Sequence, residues 1–259
     1  MDIVVCIKQV PDTAVERKLS PADSTLDRES FDGVLNEIDE YAIEEALRLT
    51  EAHGGEVTIL TMGPDKASES IRKALSMGAD KAVHLVDDAL EGSDALATSL
   101  ALATVLQRTG FDLVILGSES TDARTGLLAA MLAERLGCPQ LSLASKVEVD
   151  GNAITIHRQA DYGYDQVAGT LPAVISVVEK INEPRYPSFK GIMAAKKKPV
   201  EVLSVADAGI DPAQVGLGAA ATEVVSFSKR PPRQAGTIVK DEGDGGVKAA
   251  EFLAAQKFI

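Results

Sequence analysis

The chain has 259 residues, 45% of them hydrophobic, enough to bury a large core in one domain or in a domain with an appended arm. Its 39 acidic against 26 basic residues leave a formal charge of −13, which repels a phosphate backbone over most of the surface and argues against nucleic acid as a partner. The two cysteines, Cys6 and Cys138, offer neither a disulfide framework nor a metal-ligand spacing, and no run approaches the roughly 18 apolar residues that span a bilayer.

The N-terminal MDIVVCIKQV has an acid at position 2 and no basic segment ahead of its apolar run. It reads as a first strand rather than a signal peptide, and the expected location is cytoplasmic. Ile38, Ala42, Ile43, Ala46 and Leu47 then recur at helical spacing, with Glu40, Glu44, Glu45 and Arg48 on the opposite face. EVTILTMGP is a second strand, stopped by Gly63 and Pro64. A helix through Ala67, Ile71, Ala74 and Leu75 ends at Gly78, and KAVHLV is a third strand. The next helix takes Ser93 as its expected N-cap and Gly110 as its stop. FDLVILG is a fourth strand and ARTGLLAAMLAERLG a further helix. Strands alternating with helices imply right-handed crossovers and a mostly parallel, doubly wound, Rossmann-like α/β sheet.

After Pro139 the pattern changes. KVEVDGNAITIHRQ alternates about Asp150 and Gly151, a strong hairpin signal, and DQVAGTLPAVISVV adds more strand, so an antiparallel addition to the sheet is expected. Residues 180–202 carry Pro184, Pro187, Phe189 and three consecutive lysines, and lead into the strand PVEVLSV. Residues 229–246 are rich in Pro, Gly and charge without periodicity, which predicts an extended arm; helical spacing returns at Val247, Ala250, Leu253 and Ala254. The expected division is a nucleotide-binding domain over 1–228 and an arm with a docking helix over 229–259.

Common catalytic signatures are missing: there is no G-x-S-x-G, no H-E-x-x-H and no Walker A sequence, and His53, His84 and His157 are isolated from one another. The turn after the first strand, KQVPDT, has no glycine, and GLGAAA at 216–221 follows no strand and reads as loop. In an open parallel sheet, ligands collect beyond the carboxyl ends of strands where the strand order reverses, which points to VCIKQ and to LGSESTDARTG. The latter is expected to place Thr125 and Gly126 in the first turn of a helix, where free amides, a hydroxyl and a glycine suit a phosphate. The competing reading is that Ser120, Thr121 or Asp122 simply caps that helix.

VCIKQVPDT, LNEIDEYAIEEALRL, IRKALSMGADKAVHL, STDARTG and TLPAVISVVEKINEPRYPSFKGIMAAKKKPVEV, in that order, resemble the β subunit of electron-transfer flavoprotein, most specifically in the last segment. The resemblance covers nearly the whole chain and is weakest over 229–246. It implies an electron carrier without substrate turnover of its own, paired with an α subunit that holds most of the FAD, while the β subunit binds AMP structurally. AMP contacts carried over by position are Cys6, Asn36, Glu37, Ile38, Asp39, Met62 and the 119–130 stretch, including Asp122, Ala123, Arg124, Thr125 and Gly126. TDARTGLLAA departs here from the commoner D-G-D-T-G-Q-V-G form, which leaves the side-chain contacts open but not the backbone ones.

In that family the segment after N-E-P-R-Y anchors flavin-containing dehydrogenases, and the family's apolar anchor aligns with Phe189, with Tyr186, Ile192, Met193, Lys196, Lys197 and Lys198 around it. A buried core position for Phe189 and a solvated face for the lysines are the alternatives. Asp165 aligns with an acid that holds the mobile flavin domain through an arginine. Electrons then pass to a quinone-reducing or other acceptor oxidoreductase, usually in fatty-acid and amino-acid oxidation. Electron-bifurcating members carry a second FAD in place of AMP. A stand-alone nucleotide-binding protein of the universal stress protein or ATP pyrophosphatase type needs a Gly/Ser phosphate loop, which the sequence lacks.

Overall fold

The structure, a computed structural model, describes residues 1–28, 30–233, 236 and 238–259. The chain divides into two compact units, Met1–Glu223 and Val224–Ile259. In the first unit the strands are β1 (Ile3–Cys6), β2 (Gln9–Pro11), β3 (Gly33–Leu35), β4 (Val57–Met62), β5 (Lys81–Leu85), β6 (Leu113–Gly117), β7 (Gln140–Asp150), β8 (Ala153–Ala160), β9 (Gly163–Thr170), β10 (Ala173–Val177) and β11 (Val200–Leu203). Its helices are α1 (Glu37–His53), α2 (Ser68–Met77), α3 (Ala95–Thr109), α4 (Leu128–Leu136) and α5 (Phe189–Ala195).

Nine strands form one sheet in the order β11-β5-β4-β1-β6-β10-β7-β8-β9. It is parallel from β11 through β7, and antiparallel between β7, β8 and β9. The all-apolar β1 shows why both faces are covered: Ile3, Val5 and Ile7 enter one core with α1 and α2, while Val4 and Cys6 enter the other with α3 and α4. The expected doubly wound sheet is present, and the antiparallel extension runs through β8 and β9; Ala173–Val177, expected in that extension, instead pairs in parallel between β6 and β7 as β10. β7 turns into β8 about Gly151, whose φ of +56° suits glycine in a tight hairpin. β2 and β3 form a small antiparallel ribbon that the sequence reading did not anticipate.

Helix ends follow local chemistry, with one correction. Asp94, not Ser93, caps α3, accepting from the Ala97 amide at 2.9 Å. The Ser93 hydroxyl instead donates to the Leu90 carbonyl and accepts from the Gly216 amide. Residues 181–199, expected to be a recognition loop, contain α5, capped by Ser188 and packed on α2. Gly191 permits that packing, since a Cβ there would lie 2.5 Å from the Ser76 carbonyl oxygen.

In the second unit, described by itself, α6 (Gly245–Ala255) follows residues 224–244, among whose described members there is no strand or helix. Val247 and Phe252 on α6, and Phe258 beyond it, are exposed. Among the described residues no helix is long and apolar enough to cross a membrane.

Candidate functional site

The chain runs from β1 outward through β4 and β5, then returns to place β6 on the other side of β1. The strand order therefore reverses between β1 and β6, and beyond the carboxyl ends of such a pair is where open α/β sheets place a ligand crevice. Three elements converge there: the Ile7–Lys8 exit of β1, the start of α1, and the 118–127 stretch after β6.

Asn36 and Asp39 fasten them together. Asn36 is fully buried and spans the gap with both ends of its amide, donating to the Glu119 carbonyl and accepting from the Thr121 amide, each at 3.0 Å. Asp39 is 5% exposed and accepts from the Lys8 amide at 2.8 Å. Its carboxyl is so close to β6 that a Cβ on Gly117 would lie 2.5 Å from Oδ1, so glycine is required at that strand end. Burial pushes the Asp39 pKa up to about 7, against the hydrogen bonds from Asn36 and from the Lys8 and Gly117 amides. Burial, and secondarily the nearby Asp39, raises the Cys6 thiol, so this cysteine is a packing residue and not a nucleophile.

Above this platform lies a charged cluster. Lys8 Nζ donates to Asp122 Oδ1 at 2.8 Å and approaches Ser120 Oγ at 3.4 Å, while Arg28 reaches Asp122 Oδ2 at 3.4 Å. Burial works to raise the Asp122 pKa, but Lys8, Ser120 and Arg28 outweigh it and hold the carboxyl below the usual range. Both cations remain about one-third exposed, with side-chain values of 34% and 37%, so each can turn to a second anion. The Thr121 hydroxyl beside them is buried and has no hydrogen-bond partner among the described residues.

The capping alternative does not hold. α4 begins at Leu128, so Thr125 and Gly126 precede its first turn instead of lying in it, and its cap position is Leu127, which supplies no side-chain acceptor. Ser120 and Asp122 serve Lys8. Gly126 has φ +64°, and the nearest atom to an added Cβ would be 3.9 Å away, so the turn is open on that side. A glycine turn, an unpaired hydroxyl, two partly exposed cations and an uncapped helix start together suit an anionic group.

The other expected contacts border the same crevice: Met62 ends β4, Glu37 and Ile38 open α1, and Ala123, Arg124 and Thr125 line the turn. Lys8 and Arg28 were missed as site residues, while Ser120 lies within the expected 119–130 stretch. Lys8 directly follows an apolar strand and was findable on that ground; Arg28 lies in a long irregular segment that gives no signal.

Away from the crevice, α5 and the residues before it form an apolar surface. Tyr186 is 95% exposed and Phe189 80%, with Ile192 and Met193 nearly half exposed, so Phe189 does not occupy the core. Lys196 and Lys197 are exposed. Lys198 is not part of this face: its Nζ donates to the carbonyls of Leu75 and Gly78 at 3.0 Å and of Ala79 at 2.5 Å, at the end of α2. Asp165, on the edge strand β9, accepts from the Tyr162 hydroxyl at 2.7 Å. His84 is buried against the Gly63 carbonyl and His157 stacks on Tyr164, so neither is placed as a base. Among the described residues no group of acids, histidines and cysteines is arranged to hold a metal ion.

Residues 23–208 match the model of the electron transfer flavoprotein domain. The chain is 54% identical over 264 residues to the electron transfer flavoprotein subunit beta of Mycobacterium tuberculosis strain H37Rv, covering 100% of this chain and 99% of that one. It is 36% identical to the protein of the same description from Megasphaera elsdenii, with 100% of each covered. The caffeyl-CoA reductase-Etf complex subunit CarD of Acetobacterium woodii is 38% identical over 91% of this chain and 90% of its own. A switch-point crevice suited to an anion, on a chain alike from end to end to several proteins of one description, leads to one assignment: the chain belongs to the electron transfer flavoprotein family, among its β subunits.

Proposed function

We propose that this chain pairs with an α subunit, binds AMP in the crevice between β1 and β6, and docks flavin-containing dehydrogenases through α5 and the residues before it. The observation that carries the nucleotide assignment is the 121–127 turn, where the Thr121 hydroxyl is unpartnered, Gly126 has left-handed backbone and α4 has no side-chain cap. The adenine and ribose then lie toward Asn36–Asp39 and Met62, with the phosphate at Thr125 and Gly126 and within the field of Lys8 and Arg28. FAD, held mostly by the α subunit, supplies the redox chemistry of the heterodimer when bound. This chain's own residues bind and orient: Asn36 and Asp39 set the crevice, Phe189 seats the donor, and Asp165 meets the flavin domain.

Electrons arrive from dehydrogenases of the acyl-CoA type and leave for a quinone-reducing or similar acceptor, so the subunit turns over no substrate itself. A bifurcating reading, with a second FAD in the crevice, draws on the likeness to a subunit of a caffeyl-CoA reductase complex. Nucleotide released by heating the purified heterodimer separates the two. One adenylate and one FAD per heterodimer is the expected result; two FAD favour bifurcation, and no adenylate with one FAD refutes the crevice assignment.

A further inference from the structure

The segment joining β10 to β11 combines two properties that usually exclude one another: its apolar side chains stand in solvent, yet its backbone is fastened at both ends. At the leading end Asn182 Nδ2 donates to the Tyr41 carbonyl at 3.0 Å and to Glu45 at 3.1 Å. Arg185 forks across two carboxylates of α1, with Nε to Glu44 at 2.8 Å, Nη1 to Glu51 at 2.6 Å and Nη2 to both at 3.2 Å, and its amide donates to Glu44 at 3.1 Å. At the trailing end Lys198 closes on three carbonyls at the end of α2. Between these points α5 rests on α2 through Gly191.

Surface ion pairs ordinarily fix little, but this one differs in a decisive respect. The Glu44 side chain is only 4% exposed, and a carboxylate so placed needs partners. Burial works to raise its pKa, while Arg185 and Arg48 outweigh that and hold it ionised. One of the partners that α1 requires is therefore supplied by the exposed segment, and the segment cannot move without stripping a buried carboxylate of one of its two guanidinium partners, leaving it Arg48 alone. The fork geometry of a guanidinium on two carboxylates fixes direction as well as distance.

We propose that Arg185 and Lys198 are positioning residues: they hold the docking surface around Phe189 in its binding shape before a partner arrives, so that little ordering cost falls on the encounter. The proposal rests on the reading of that surface as the place where dehydrogenases dock.

The test uses the intact heterodimer with an acyl-CoA dehydrogenase as electron donor, reading KM and kcat for the donor, reduction by dithionite, and amide hydrogen exchange over residues 186–195. Arg185→Lys keeps the charge and loses the fork. Glu51→Gln removes only the exposed half of the fork and serves if Arg185→Lys does not fold, and Lys198→Gln acts at the other end. Exchange over 186–195 should rise about tenfold, and KM for the donor by a similar factor, with kcat, FAD content and dithionite reduction unchanged. Faster exchange with KM unmoved overturns the proposal, as does exchange unmoved in the folded variants. Phe189→Ala, measured alongside, separates the two levels of the argument. If it raises KM while the fork variants do not, the positioning role alone falls; if it leaves KM unchanged, the docking reading falls and takes the proposal with it.

Discussion

Truncating Phe189 to alanine should weaken donor docking and leave the fold and both nucleotides in place. The side chain is 80% exposed, so it contributes little to the packing of the free subunit. A partner that covered it would remove on the order of 150 Å² of apolar surface, worth about 4 kcal/mol at about 25 cal/mol per Å². Immobilisation and imperfect fit reduce that toward the roughly 2 kcal/mol of an interface hot spot, which is about thirtyfold in affinity. In the Phe189→Ala heterodimer, kcat/KM with an acyl-CoA dehydrogenase should fall by about that factor, while reduction by dithionite, which needs no docking surface, stays at its original rate. The melting temperature should shift by less than about 2 °C, the expectation for an exposed site in a domain of this size. A core aromatic predicts the opposite, a loss of about 3–5 kcal/mol of folding stability and a melting temperature lowered by several degrees. A variant that melts early and loses both rates equally would refute the reasoning.

Two further perturbations address the crevice. Gly126→Glu forces a side chain onto backbone at φ +64°, costing about 1–2 kcal/mol of strain, and sets a carboxylate beside the proposed phosphate; adenylate content of the purified heterodimer should drop well below one per chain with FAD retained, and full adenylate occupancy would count against the site. Asp39, raised by burial to about 7, contributes stability that is present below about pH 4 and is lost as pH rises through about 7, because the folded chain holds a proton there that the unfolded chain releases. In Asp39→Asn that component disappears, so melting temperatures followed from pH 5 to 8 should fall more steeply for the parent than for the variant, and parallel profiles would show that Asp39 does not titrate in this range.

What could be read from residues alone follows the physics of each element. β1, β4 and β6 announce themselves as short, mainly aliphatic runs because a parallel strand covered on both faces has no solvent side to disguise it, and β5 does so despite its Lys81 and buried His84. The β7–β8 hairpin was equally plain, since Asp150 and Gly151 sit at its turn. α5 was not, because seven residues containing Gly191 and following Pro187 carry no usable periodicity; its helix exists through Ser188 and through packing on α2. The β2–β3 ribbon is held by pairing across more than twenty intervening residues, which no local signal encodes. At the crevice, Asn36 and Asp39 were found by resemblance, but the reason for them, an amide and a carboxylate bridging two strand ends, appears only in three dimensions. The three consecutive lysines looked alike in sequence; one of them closes the end of α2 instead of facing solvent.

The position of β10 bears on how the molecule assembles during synthesis. β10 lies between β6 and β7, yet the chain makes β7, β8 and β9 before it. Until residues 173–177 have been made and inserted, β6 and β7 each present a raw strand edge, and the β7–β9 meander has no strand pairing with the rest of the sheet. All five residues of β10 are buried and four of them are apolar, so the step that joins the sheet draws a largely apolar strand into a slot with partners on both sides, where its one polar side chain, Ser176, accepts from the Leu143 amide. A nascent chain halted before residue 173 is thus two half-sheets with matching sticky edges, a species prone to pair with its neighbours on the same message. Completion of one five-residue strand joins the two halves into one continuous sheet, to which β11 is added last.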